Sequence, residues 1–313
     1  MIPTPAWVSY EPQAQIIGRQ VRRMPTWAKD GWRVTPDRFD ALCRTDPYRP
    51  RIVVLNYPSN PTGLSYTADE LDALAEVARK YRVILLSDEI YGKLHHEGKH
   101  VSVVPRYPEG TIFSGGLSKW CGAGGWRLGI FVFPSCLRWL LDAMAVVASE
   151  TFTSTSAPIQ YAAVCAFQEN EELDQYLFQV RRILGSLGKK LATTLKEAGV
   201  HILFPHGGFY LFPDFIAQAD HLKARGINTS VELCERLLDE TGVAALPGYA
   251  FGRPPEELTA RLAYINFDGK KALEAAGHIS ADKALDENFL QTYCKESIIA
   301  IKRLCEWVNP NVA

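Results

Sequence analysis

An α/β unit built on parallel strands, followed by a smaller α+β unit, is the architecture that this 313-residue sequence predicts. Three observations carry that expectation. Two short apolar, β-branched runs, RIVVLN (51–56) and RVILLS (82–87), flank an amphipathic helical stretch. Two further strand-like runs follow, TIFSG (111–115) and RLGIFVF (127–133). After about residue 175 the pattern changes to one long helix and then to short strands interleaved with helices.

RIVVLN breaks at YPSNPTG, so it reads as a buried strand running into a turn. In TADELDALAEVARKY, Thr67 and Glu70 have capping-box spacing, and Leu71, Leu74, Ala75 and Ala78 trace one helical face. RVILLS then completes a strand, helix, strand unit, which implies parallel strands joined by a right-handed crossover. From Gln175 to Ala198, Leu177, Val180, Leu184, Leu187, Leu191 and Leu195 recur every three or four residues and mark a long helix linking two domains. The division falls near residue 180, giving a large domain over 1–180 and a small domain over 181–313. In the second, the expected order is a strand FYLF (209–212), a helix capped by Thr229 and Glu232, a strand VAAL, a PGYAFG turn, a strand RLAYINF (261–267) and a terminal helix from about Glu287 to Val308. The stretch NFDGKKALEAAGHISADKALDENFL (266–290) reads as a charged surface excursion.

A net charge of -1, with 47% hydrophobic and 22% charged residues, fits a soluble globular protein and makes no electrostatic case for nucleic acid or an anionic membrane. No apolar run is long enough to span a bilayer, and MIPTPAWVSYEP lacks the features of a secretory signal, so a cytoplasmic location is expected. The seven cysteines are scattered and form no C-x-x-C pair. They are expected to be reduced thiols used as small core residues, Cys121 included, with neither a disulfide framework nor a metal site.

In an open α/β sheet, ligands bind beyond the carboxyl ends of the strands. Asn60 follows the first strand, Asp88 and Tyr91 follow the second within SDEIY, and Lys119 follows the third, all within about 60 residues. Each alone has an ordinary explanation as a cap, turn or solvated residue. Together they suit one chemistry. A lysine amine can form a Schiff base with a carbonyl, and a carboxylate can keep a pyridinium nitrogen protonated. Tyrosine and asparagine can hydrogen-bond a ring phenolate, and arginine can bind phosphate through two donors. These are the requirements of pyridoxal 5'-phosphate, and neighbouring glycines would let backbone approach it closely.

Gly116 to Gly129, SGGLSKWCGAGGWRLG without its first two residues, resembles the lysine-attachment signature of class I aminotransferases, including the eight-residue step from Lys119 to Arg127. NYPSNPTG, SDEIYGKL, PHGGFYLFPDF, LPGYAFG and RLAYINF resemble the family's other landmarks, in order, over essentially the whole chain. The resemblance implies a fold type I enzyme, with a three-layer large domain on a mostly parallel sheet and a smaller α+β domain. It implies a cytoplasmic homodimer that moves an amino group from an L-amino acid to a 2-oxo acid. By the same resemblance Lys119 would hold pyridoxal phosphate as an aldimine and shuttle the proton, while Asp88 would pair with the ring nitrogen. Tyr91 and Asn60 would bind the ring oxygen, Arg127 the phosphate with Ser118 as a weaker contributor, and Trp7 would stack on the ring. Arg261, with Asn60 beside it, would bind the substrate carboxylate, and the two domains would close over the substrate.

The family's opening segment, roughly its first quarter, has no counterpart in these residues. That leads to the expectation of either a fragment of a full enzyme or a short form with an altered phosphate site. SETFTSTSAPIQ (149–160) resembles the loop that reaches into a neighbouring subunit, but it contains no arginine to read a second substrate carboxylate. Two alternatives to transamination stand beside it: a β-lyase on the same fold, and a truncated, catalytically silent family member.

Overall fold

The computed structural model describes residues 1–309. A short parallel pair opens the chain, β1 (Ile2–Thr4) with β2 (Arg23–Pro25), with helix α1 (Tyr10–Ile16) between them. Helix α2 (Pro36–Arg44) follows, and then the four strands of the main sheet, β3 (Ile52–Asn56), β4 (Ile84–Asp88), β5 (Thr111–Gly116) and β6 (Gly129–Val132), in that spatial order. The first three are parallel and β6 runs antiparallel at the edge. The helix between β3 and β4, α3 (Ala68–Lys80), starts on the expected capping box, in which the Thr67 hydroxyl accepts from the Glu70 amide and the Glu70 carboxylate accepts from the Thr67 amide. It buries Leu71, Leu74, Ala75 and Ala78 against the sheet.

Helices α4 (Arg138–Thr151) and α5 (Ala157–Ala166) precede the long helix α6 (Glu171–Glu197), which starts one turn before the expected position because Asn170 accepts from the Glu172 and Leu173 amides. Beyond α6 lie β7 (Tyr210–Leu211), α7 (Ala219–Ala224), α8 (Ser230–Thr241), β8 (Leu246–Pro247), β9 (Ala260–Ala263), α9 (Gly269–Gly277), α10 (Glu287–Tyr293) and α11 (Lys295–Val308). Here β9 lies between β7 and β8, antiparallel to both. A mixed α/β fold with a parallel-rich sheet is therefore present as expected.

Several expectations need correction. RLGIFVF yields a strand only from Gly129, because Arg127 takes a left-handed backbone (φ 57°) that ends the preceding turn. The strands expected at VAAL and RLAYINF fall instead at Leu246–Pro247 and Ala260–Ala263. The terminal helix is two helices, since Cys294 leaves helical geometry at φ -125°, ψ 23°. Residues 266–290 are not a mere surface excursion: α9 buries Ala272 and Ala276, and the Arg182 guanidinium on α6 donates to the carbonyls of Ala276, Ile279, Ser280 and Lys283. Among the cysteines, Cys43, Cys234, Cys294 and Cys305 are buried as expected, whereas Cys136 and Cys165 are exposed and Cys121 is half-buried.

Two joints hold distant segments together. The Arg253 guanidinium, 4% exposed as a residue, donates to the carbonyls of Thr4 and Thr26 at 3.0 Å each and pairs with both oxygens of Glu257. At the other joint, the Gly63 carbonyl accepts from the amides of His206 and Gly207, bringing the turn after β3 onto the segment before β7. Gly63 has φ 71°, and a Cβ there would lie 2.7 Å from the Tyr210 carbonyl oxygen and 2.9 Å from Pro205 Cβ.

The stretch from β6 through α5 carries many exposed apolar side chains. Edge strand β6 exposes Phe131 and Val132, α4 buries none of its residues, and α5 buries only Ala163. Trp139, Val146, Val147, Phe152 and Tyr161 all stand more than half exposed there.

Gly63→Ala should lower stability by about 1–3 kcal/mol, since both the left-handed backbone and the backbone contact resist a side chain. A denaturant titration checks this; the midpoint should fall with little change in slope.

Candidate active site

The register of the main sheet builds the site. Asn56, Asp88 and Ser114 are direct cross-strand partners at the carboxyl ends of β3, β4 and β5. Beyond that edge opens a cleft of about 580 Å³ whose lining includes Trp7, Asn60, Asp88, Tyr91, Ser118, Lys119, Arg127 and Arg261, so every residue singled out from the sequence reaches one cavity.

Asp88 is the last residue of β4. Its carboxylate accepts from the Tyr10 hydroxyl and, at 3.3 Å, from the Ile90 amide. Burial pushes the carboxyl above the ordinary range for aspartate, against the opposing pull of the Tyr10 and Ile90 hydrogen bonds and the Lys119 charge. Tyr10 is itself raised well above the ordinary tyrosine value, first by burial and then by the Asp88 charge. Lys119 follows β5 between two buried anchors, Leu117 and Trp120, and its ammonium lies 5.9 Å from the centre of the Tyr91 ring. Tyr91 is buried, with its hydroxyl 3.0 Å from that of Tyr210, and burial raises its pKa far above the usual value.

Asn60 is buried in the turn after β3, where its backbone amide donates to the Asn56 side chain at 2.8 Å. Its side-chain oxygen accepts from the Arg261 guanidinium at 3.2 Å. Arg261 comes from β9, lies over the rings of Tyr210 and Phe251, and keeps a buried Nε with no hydrogen-bond partner. Burial lowers its pKa, although the neighbouring Tyr210 and Tyr91 pull the other way. Arg127 is exposed at the mouth and donates to the Gly124 carbonyl at 2.8 Å. Trp7, 36% exposed, meets Tyr10 edge-on at 5.1 Å.

Tyr10, Tyr210 and Asn56 are among the lining residues that escaped the sequence reading. The Trp7-to-Tyr10 spacing of three residues at a helix start was a usable signal, because such a step returns a side chain to the same face. Asn56, ending its strand in register with Asp88, was another. Tyr210 had no such signal, since its role depends on β7 packing back toward Tyr91. The glycines near Lys119 also serve a different purpose from the expected one at Gly116. A Cβ there would lie 2.7 Å from the Leu128 carbonyl oxygen, so this glycine permits the close approach of β6 to β5.

The donor set suits pyridoxal phosphate. Asp88 is a desolvated carboxylate with no cation in hydrogen-bond contact, which a protonated ring nitrogen would satisfy. The orphaned Arg261 Nε suits a carboxylate taken through two donors. Among the described residues no group of three metal-ligating side chains is present.

Comparisons with known proteins agree. The family model described as aminotransferase class I and II matches residues 1–279. An aspartate aminotransferase of Geobacillus stearothermophilus is 36% identical over 283 residues, covering 88% of this chain and 67% of the relative. An asparagine-oxo-acid transaminase of Streptococcus mutans is 33% identical over 288 residues, covering 90% and 69%. Among solved structures, the aspartate aminotransferase of Thermus thermophilus with maleate matches with a TM-score of 0.75 at 30% identity, covering 88% of this chain and 67% of that one. An aromatic aminotransferase of Pyrococcus horikoshii matches with a TM-score of 0.76 at 27% identity, covering 98% and 72%. The chain thus spans about two thirds of the length of the curated relatives it matches. With a fold type I architecture and a matching family model, it belongs to the class I and II aminotransferases, enzymes that depend on pyridoxal phosphate.

Proposed function

We propose that this chain carries out transamination between an L-amino acid and a 2-oxo acid, with pyridoxal phosphate in the cleft beyond β3, β4 and β5. One observation carries the reading: a lysine, a buried carboxylate and a partly unpartnered arginine line the same cavity. When bound, the cofactor supplies an electron sink for the pair of electrons left as the substrate's α-proton departs. Asp88, oriented by Tyr10, would keep the ring nitrogen protonated, and the Tyr91 hydroxyl and Asn60 amide would donate to the ring oxygen. Arg127, with Ser118, would take the phosphate, and Trp7 would stack on the ring. Lys119 would hold the cofactor through its Nζ, and the same nitrogen would serve as general base and acid for the substrate's α-proton. Arg261 clamps the substrate's α-carboxylate, with Asn60 fixing the guanidinium from one side.

Lys119 and Arg261 stand on opposite sides of a division near residue 180, and the large unit 1–180 and small unit 181–313 close around the substrate. Two copies associate through β6, α4 and α5, where Phe131, Val132, Trp139, Val146, Val147 and Tyr161 stand exposed. Among the described residues no helix is long and apolar enough to cross a membrane. With no cysteine paired and a near-neutral charge, a cytoplasmic setting is the one that suits this chain.

Adding pyridoxal phosphate to the purified chain should produce an absorption band near the visible edge that fades with amino acids, and Lys119→Ala should abolish it. The same variant should lose transamination by roughly 10²- to 10⁴-fold. Release of pyruvate and ammonia without an added oxo acid would point to β-elimination instead, and absence of the band in the parent chain to a silent protein.

Because burial raises the Asp88 pKa in the folded chain, its favourable contribution is full below the unfolded carboxylate pKa and is lost as pH rises through the folded value. Asp88→Asn should therefore gain stability relative to the cofactor-free parent across that interval, as read by denaturant midpoints against pH, while activity collapses. Phe131→Asp with Val147→Asp should convert the dimer to monomer in sedimentation; a parent chain that is already monomeric would remove the proposed interface.

A further inference from the structure

Next to Asp88, but outside the cleft lining, lies a second carboxylate for which the reaction above has no use. The Glu89 side chain is 4% exposed and accepts four hydrogen bonds. Its Oε1 receives the Ser87 hydroxyl at 2.8 Å, the Ser102 hydroxyl at 2.7 Å and the Tyr57 hydroxyl at 3.2 Å, and its Oε2 receives His100 Nε2 at 2.7 Å. These donors come from three separate places: the residue after β3, the interior of β4, and the 100–103 segment. The Tyr57 hydroxyl in turn accepts from the Val103 amide at 3.0 Å, which closes the network onto the backbone.

Burying a carboxylate costs several kcal/mol unless donors compensate it, so a site with four is built to hold one. The backbone around Glu89 is fixed as well. Its amide donates to the Ser114 carbonyl at 2.9 Å and its carbonyl accepts from the Gly92 amide at 2.8 Å. The residues whose directions this determines are its neighbours in the same turn, Asp88 and Tyr91. With Glu89 anchoring the turn, Asp88 needs to give its own oxygens only to Tyr10 and the Ile90 amide.

We propose that Glu89 is a positioning residue: by gathering Tyr57, Ser87, His100 and Ser102 behind the sheet edge, it fixes the 88–91 turn and thereby aims Asp88 and Tyr91 into the cleft. Its relevance to pyridoxal phosphate rests on the functional reading above; its effect on Asp88 does not. The charged or titratable groups facing Asp88 are Tyr10 from α1, Lys119 from the loop after β5, and Glu89 and Tyr91 from its own turn.

The experiment follows the Asp88 side-chain carboxyl by carbon NMR in the full, cofactor-free chain, with its signal assigned by its loss in Asp88→Asn. Glu89→Gln places an amide donor among donors and should loosen the turn. Asp88 then rehydrates, its titration midpoint falls toward the ordinary aspartate value, and affinity for pyridoxal phosphate drops about tenfold. Ser102→Ala is the milder variant: it removes one donor but keeps the Glu89 charge, and should lower the Asp88 midpoint by a smaller amount. His100→Gln, which keeps a donor to Glu89, should restore most of the parent behaviour seen lost in His100→Ala.

If Glu89→Gln lowers the midpoint while Ser102→Ala leaves it unmoved, the effect is through-space charge and the positioning role is wrong. If both variants only lower the unfolding midpoint and leave Asp88 unmoved, Glu89 is merely structural and the proposal also fails. Should the parent chain not bind pyridoxal phosphate, the functional reading falls, while the Asp88 titration still decides the role of Glu89.

Discussion

The parallel register of β3, β4 and β5 is the constraint on which the site depends. It sets Asn56, Asp88 and Ser114 side by side, so β3 and β4 end on one line that β5 passes by two residues, and all three lead into one cavity. A slip of one residue in any strand would reverse the face to which its side chains point. The helix α3 holds that register by covering the sheet with Leu71, Leu74 and Ala78, and its start is fixed by a capping box rather than by packing alone. Everything chemical then hangs on short turns after the strands, where loop residues gain precision from a rigid edge.

Electrostatics divide the cavity in a way that suits its use. The one carboxylate in the lining, Asp88, is the most desolvated charge there, and of the three cations Lys119 and Arg127 come from the β5–β6 connection and Arg261 from β9. A predominantly cationic cleft with a single buried anion favours a ligand that is itself anionic at its ends and positive at its centre. The tyrosines do the remaining work. Tyr10 satisfies Asp88, Tyr210 meets Tyr91, and burial keeps Tyr10 and Tyr91 protonated as donors rather than as further anions.

Much of this was legible in the sequence because strand ends announce themselves. RIVVLN and RVILLS stop at polar residues, and a polar residue beyond a buried strand has few places to be but the ligand edge. The motif around Lys119 was legible for the same reason, as glycines surround it where apolar residues would otherwise continue. What the sequence hid were contacts made across long separations. Tyr210 reaches Tyr91 from 119 residues away, and Arg182 organises the 276–283 stretch through backbone carbonyls, which carry no side-chain signature. Strand ends in the C-terminal part were overrun for a related reason: past the last paired residue of RLAYINF, Tyr264 and Phe267 still pack into the core without a partner strand, while Ile265 stands exposed.

The Arg253 clamp ties the Trp7 and Tyr10 wall to a part of the chain some 250 residues away, and it does so through backbone carbonyls on both sides of that wall, Thr4 and Thr26. The Ala6 amide adds a bond to the Phe251 carbonyl at 3.0 Å. Tyr10 in that wall also donates to Asp88 at the end of β4, so the wall is pinned both to the sheet and to the C-terminal residues. One short segment, from Thr4 to Thr26, thereby couples the strand that carries Asp88 to the residues around Arg253, so a disturbance on either side of the cavity is transmitted to the other.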